Sequence, residues 1–179
     1  MRWQVLAVGL GLMSAQAARA AELRAPQNVN AEPSTPQSTA LTTRAAMASI
    51  NGDPAQARDL ANQAIRADPR DPWPYYNKGM ALAQLGETDG ALAALFAAEQ
   101  HFSPSDRWGR SVAIYGRAHT LGKAGRCAEA NKAYEEYASF VAKDDPSSAA
   151  IARRYAADCR APAPAAPPQA APTPAPPKG

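Results

Sequence analysis

An all-α fold is predicted for this 179-residue chain: a short right-handed α-solenoid of about three helix pairs plus a C-terminal capping helix. Three observations carry it. Acceptor–proline pairs recur where helices can start. Gly52 and Gly86 mark turns 34 residues apart, and Gly125 marks a third. The 17 prolines are sorted by position: eight crowd residues 162–177, three lie in 26–36, and six are spread from 54 to 146. No glycine period supports collagen, and a hydrophobic share of 46% argues against a fully disordered chain. Alanine supplies about half of that share, which is why the mean hydropathy is still −0.40. A core built from this chain must therefore come from small residues with few large anchors.

The chain opens on an export signal. Arg2 gives a basic start, and residues 3–13 are an uncharged apolar run too short for a comfortable permanent span. Ala15-Gln16-Ala17 and Ala18-Arg19-Ala20 both offer the small-x-small pattern of a cleavage site. Cleavage is expected after Ala20, alternatively after Ala17 or Ala21, giving a periplasmic or secreted protein; an uncleaved anchor is the alternative. Loss of Arg2 and Arg19 leaves 17 basic and 16 acidic residues, so the net charge falls from +3 to +1. With no basic cluster longer than Arg153-Arg154, no case for nucleic acid remains. The domain order that follows is a signal peptide at 1–20, a flexible leader at 21–37, a helical domain at 38–160 and a Pro/Ala-rich disordered tail at 161–179.

Within the helical domain the starts share one chemistry. Asp53-Pro54, Asp71-Pro72, Ser103-Pro104 and Asp145-Pro146 each put a side-chain acceptor before a proline. The acceptor can bond an orphan N–H of the first turn, and proline has no N–H to lose there. Asp53 with Gln56 approximates a capping box. Seven helices follow, near 38–51, 54–67, 72–85, 88–101, 104–123, 127–143 and 146–159. No strand-like alternation appears.

Aligned on the glycines, the units share small and large positions. Ala57 and Ala91 lie five residues after their glycines, Ala61 and Leu95 nine after, and Ala64 and Ala98 twelve after. The middle unit reads Tyr75-x2-Lys78-Gly79-x2-Leu82, then Ala91-x3-Leu95. This resembles the tetratricopeptide repeat (TPR), W-x2-L-G-x2-Y, then A-x3-F, then P. The first unit keeps Leu41, Ala45, Ala48, Ala57 and Pro69; the third keeps Ile114, Ala118, Leu121, Ala130 and Tyr134. Arg44, Lys78 and Arg117 depart where the pattern has Leu. The resemblance covers about residues 38–146 and is specific in period but degenerate in residues, so a non-repeat helical bundle is the alternative. In a solenoid each pair buries its apolar face on the next. The last helix is expected to cover the open end with Ile151, Ala152 and Tyr155 facing inward.

Cys127 opens the sixth helix and Cys159 closes the seventh. Antiparallel helices joined near Asp144-Asp145-Pro146 place them at similar heights, at about 1.5 Å per residue. In an exported chain this reads as a disulfide. Two free thiols, or a metal site with His101 and His119, are the alternatives; the latter lacks C-x-x-C or H-x-x-x-H spacing.

No H-E-x-x-H, G-x-S-x-G or phosphate loop is present, so no catalytic site, metal site or cofactor is assigned. The resemblance implies a concave groove lined by the first helix of each pair. Carried over by repeat position, its residues are Thr42, Ala46 and Ser49, then Trp73, Tyr76, Met80 and Gln84, then Tyr115, His119 and Lys123. Aromatic side chains, Met and His give contact area at low entropic cost. The same residues can instead pack between helices, and Trp108 can cover either neighbouring unit. Only Asn77 and Lys123 suggest a clamp for a peptide carboxylate. The tail, with eight prolines in nineteen residues, is expected to be extended and polyproline-like. The resulting reading is an exported non-enzymatic adaptor that binds a protein or peptide partner. The alternative is a structural cell-envelope protein whose tail is a spacer or anchor. An unrecognised enzyme or a cytosolic chaperone fits less well, the latter because of the signal sequence.

Overall fold

A computed structural model describes residues 34–159. The expected export signal, most of the expected leader and the proline-rich tail lie outside the described residues. The described chain forms seven helices: α1 (Pro36–Ile50), α2 (Pro54–Ala67), α3 (Pro72–Gln84), α4 (Thr88–His101), α5 (Arg107–Lys123), α6 (Cys127–Val141) and α7 (Pro146–Asp158). Each packs against the next in sequence, and α3 also touches α1 and α5. This is an all-α solenoid of paired helices.

The expected caps form. Asp53, Asp71 and Asp145 accept hydrogen bonds from Gln56, Trp73 and Ser148 backbone N–H groups at 2.9, 3.1 and 2.9 Å. Thr35-Pro36 is a further pair of the same kind, so α1 starts two residues ahead of the expected 38; Thr35 Oγ1 accepts from Ser38 N at 3.2 Å. One start is corrected. The fifth helix begins at Arg107 rather than 104, because Asp106 and not Ser103 caps it, accepting from Gly109 N at 2.8 Å. Ser103-Pro104-Ser105-Asp106 instead closes a turn through Asp106 N and Ser103 O at 2.9 Å. Serine before proline suits turn entry as well as a helix cap, and the aspartate four positions from Phe102 supplies the competing cap. Gly52, Gly86 and Gly125 have φ of 81°, 79° and 71°, the left-handed conformation that ends the first helix of each pair.

The core is built from alanine. Ala45, Ala57, Ala61, Ala64, Ala81, Ala91, Ala98, Ala113, Ala118 and Ala130 are fully buried. Small side chains let helices approach, and Gly79 and Gly116 do so on either side of Leu95. A Cβ on Gly79 would sit 2.6 Å from Leu95 Cγ and 3.1 Å from the Ala91 carbonyl oxygen; one on Gly116 would sit 3.0 Å from Leu95 Cδ2. Leu95 of α4, fully buried, is thus wedged between α3 and α5.

Successive units are also tied at the repeat spacing. Ser38 Oγ donates to Asp71 Oδ2 at 2.9 Å, and Thr35 N to Asp68 Oδ2 at 3.1 Å, both across 33 residues. Asn77 Nδ2 donates to the Thr42 carbonyl at 3.0 Å and Gln84 Nε2 to Ser49 Oγ at 2.8 Å, both across 35. Arg126 pairs with Asp89, and Arg107 with Asp144, each at 2.6 Å across 37. Arg117, at the position where the family pattern has Leu, reaches Glu99 at 3.2 Å and Glu136 at 2.9 Å. The leucine it replaces would pack; the arginine instead neutralises a buried carboxylate, since Glu99 is 8% exposed.

The cap at the C-terminal end differs in register from expectation. Ala149, Ala152 and Ala156 are the buried residues of α7, while Ile151 and Tyr155 are about half exposed at 52% and 46%. Alanines at i, i+3 and i+7 let α7 lie close on α6, which the larger side chains would prevent. That closeness brings the Cys127 and Cys159 Cα atoms to 5.4 Å, and the two sulfurs are bonded. Neither thiol is left to ligate a metal.

Two outcomes follow. Leu95→Ala should lower unfolding free energy by about 2–5 kcal/mol in urea denaturation, and Gly79→Ala by about 1–3 kcal/mol despite its better helix propensity. Intact mass after alkylation of the unreduced chain should show no free thiol. The Cys127→Ser, Cys159→Ser double variant should lose about 3–4 kcal/mol for a closed loop of this length.

Candidate functional site

The first helices of the pairs are α1, α3 and α5, with α7 in the next such position. Their expected groove residues do not all behave alike. On α1, Thr42 and Ser49 receive the Asn77 and Gln84 bonds, and Ala46 is half-buried, so this helix offers little contact chemistry. Asn77 is therefore a tie between α3 and α1 and not part of a carboxylate clamp. Gln84 is exposed beside Ser49, and Met80 is half-buried on the same helix.

The aromatic residues come together. Trp73, near the start of α3, meets Tyr76 edge-on at 5.9 Å between ring centroids, Phe102 at 5.1 Å and Trp108 at 5.3 Å. Phe102 is buried and forms the floor; Trp108 is 49% exposed. This settles the position of Trp108: it leans from the start of α5 toward α3. The Tyr76 ring lies against Gly116, where an added Cβ would be 3.6 Å from Tyr76 Cε2. Glycine at this point of α5 leaves the space that the tyrosine fills.

Tyr115 continues the line, one residue before Gly116. Its ring meets Tyr137 at 5.2 Å, and His119, one turn on, at 6.1 Å. Tyr134 lies 6.1 Å from Tyr115 and 5.7 Å from Tyr155 of α7. No Cα of α7 comes within 8 Å of one in α5, so these side chains span the opening between the two helices. The outcome is an aromatic stripe made of two ring clusters, Trp108–Trp73–Tyr76 and Tyr115–Tyr137–Tyr134–Tyr155, which adjoin where Tyr76 lies against Gly116, the residue after Tyr115. Sequence reasoning missed Tyr137 and placed Tyr155 inside. The signal for Tyr137 was present: it stands one turn after Tyr134 and two residues after Glu135 on a helix otherwise rich in alanine and charge.

Electrostatics keep the stripe uncharged. Burial pushes the Tyr76 and Tyr115 phenols above their ordinary range, and neighbouring tyrosines add to it. Burial with Tyr115 and Tyr155 nearby pushes Tyr134 up to about 12. These phenols hold their protons and serve as donors. His119 is lowered, first by burial and then by Lys123 one turn away, so it is a neutral imidazole at neutral pH. Lys123 itself is exposed. The arrangement offers ring faces, hydroxyl and indole donors and one exposed ammonium: recognition chemistry, with no nucleophile–base pair among the predicted site residues.

The tetratricopeptide repeat family model matches residues 49–113, which spans the second half of the first unit, the whole middle unit and the front of α5. Over those residues the chain is similar to the tetratricopeptide repeat. No curated protein matches it. In the TPR frame, Gly79 and Ala91 are the small residues that face each other within a pair, and Leu95 is the large residue that fills the space beyond them. TPR segments are protein–protein interaction modules, and the family is typically non-enzymatic.

A lowered histidine makes stability depend on pH in a defined direction. Its contribution is fully present above the unfolded value of about 6.5 and is lost as pH falls through the lower folded value. Urea midpoints of the chain between pH 7.5 and 4.5 should fall more steeply than those of His119→Gln. Parallel curves would show that His119 titrates normally.

Proposed function

We propose that this chain is an exported, non-enzymatic adaptor that holds a protein or peptide partner against the aromatic stripe of its TPR helices. The stripe itself carries the reading. Partly buried Trp73, Tyr76, Tyr115 and Tyr137, flanked by half-exposed Trp108 and Tyr155 and anchored on a buried Phe102, have the composition of an interface centre. Tyr and Trp lose few rotamers on binding, and their preset mutual contacts lower that cost further.

Export is supported by the first twenty residues and by the bonded pair Cys127–Cys159, which suits an oxidising compartment. An exported chain of this kind would be periplasmic or secreted, where it could associate with the cell envelope. A structural envelope role for the tail is the second reading, favoured by its length and its proline content.

A photo-crosslinker at Trp108 or Met80 in cells, followed by mass spectrometry, should capture a discrete partner. Tyr76→Ala with Tyr115→Ala should weaken that partner by roughly thirtyfold or more in Kd, corresponding to about 2 kcal/mol for interface hot spots. Unchanged capture by the double variant, with circular dichroism showing intact helices, would remove the stripe from the binding site. Loss of envelope fractionation on tail deletion alone would favour the structural reading.

A further inference from the structure

The stripe has an unused complement in the same chain. Residues 161–177 carry eight prolines, no charge and no aromatic side chain. A polyproline-like segment makes no internal hydrogen bonds, about half of these residues lack an N–H, and proline rings pack on aromatic rings. The stripe supplies the other half: ring faces, phenol and indole donors, and protonated tyrosines.

Geometry favours the match. Cys159 N bonds the Tyr155 carbonyl at 3.0 Å, the last turn of the C-terminal helix. The tail therefore leaves the fold about 6 Å beyond Tyr155 along the helix axis. The disulfide to Cys127 fixes that exit point. From α7 past α5 to α3 is more than about 20 Å, since α5 and α7 are not in direct contact, whereas seventeen extended residues reach about 50 Å. The tail can cover the whole stripe with length to spare.

We propose that the Pro/Ala-rich tail, residues 161–177, docks in an extended form across Trp73, Tyr76, Trp108, Tyr115, Tyr137 and Tyr155, and so occupies the partner-binding face of its own chain. This deepens the functional reading above and rests on it. The tail is then an internal competitor, and partners that displace it share its proline-rich, uncharged chemistry. Tethering gives an effective concentration on the order of 1 mM, so an intrinsic Kd on the order of 0.1 mM suffices to keep the face mostly covered and to weaken a competitor about tenfold.

The test uses tryptophan emission, since Trp73 and Trp108 are the only tryptophans in a chain starting at Ala21. A synthetic peptide of residues 161–179 is titrated into the full chain and into one ending at Arg160. Binding about tenfold tighter to the shortened chain is the expected result. A full chain with Pro167→Ala, Pro168→Ala, Pro172→Ala and Pro174→Ala leaves the helical domain untouched and should behave like the shortened one. Equal binding to both chains, no binding at millimolar peptide, or equal binding of a peptide with all eight prolines replaced by alanine would overturn the proposal. The two readings fail separately. Equal capture of a cellular partner by full and shortened chains removes the tail from the face and leaves the partner site standing. If Tyr76→Ala with Tyr115→Ala blocks the peptide while the partner stays bound, the tail docks on the stripe but the partner site lies elsewhere, and the tail's role as a competitor is overturned.

Discussion

Leu95 is the side chain on which three helices agree. It stands on α4, is fully buried, and fills the gap left by glycine on α3 and glycine on α5. A side chain at position 79 would push against Leu95 and the Ala91 carbonyl, and one at 116 would press on the other side of Leu95, so both glycines hold the helices at their present distance. The contact therefore fixes pairing within a unit and stacking between units at once. In a solenoid each unit touches only its neighbours, so the spacing set here is passed along the chain rather than averaged over a common core. The surrounding alanines serve the same end, since they trade side-chain volume for close backbone approach.

The position of the aromatic stripe depends on that spacing. Tyr76 fits against Gly116 because α5 lies close to α3, and Tyr115 is carried into line by the same helix. Further along, α7 is set by alanine contacts and a covalent bond to α6, which leaves room between α5 and α7 for Tyr115, Tyr134 and Tyr155 to meet. Close packing at one step and an opening at the next let two ring clusters adjoin, partly buried between half-exposed Trp108 and Tyr155.

Much of this was legible in the sequence, for reasons that are local. Aspartate–proline and glycine signals act within one turn, so the helices and the 34-residue period emerged without tertiary information. The pairing of Cys127 with Cys159 also followed from helix rise and an antiparallel turn. What was not legible depended on neighbours. Ser103-Pro104 and Asp106 are both plausible starts, and only the surrounding turn decides between them. Ile151 and Tyr155 looked like core residues because they are large; the alanines beside them won the buried face because α6 lies so near. Arg117 looked like a defect in the repeat until Glu99 of the preceding helix appeared beside it. Of the site residues, Tyr76 and Tyr115 were recognisable by repeat position. The link to Tyr137 and Tyr155 was hidden, because it joins helices whose spacing no sequence pattern states.

The two ends of this solenoid are closed by different means. The α6–α7 end is held by a covalent bond. The α1 end is held by Ser38, Thr35 and the Asn77 and Gln84 bonds, and it leaves Met47 and Ile50 53% and 78% exposed. In a quasi-one-dimensional array the terminal unit has half the neighbours of an internal one. Fraying is thus directional: the fold loosens from α1 inward, and protection against local opening rises toward α7. The aromatic rings stand on α3, α5, α6 and α7, on the protected side of that gradient, so the first pair can breathe while the aromatic stripe keeps its shape.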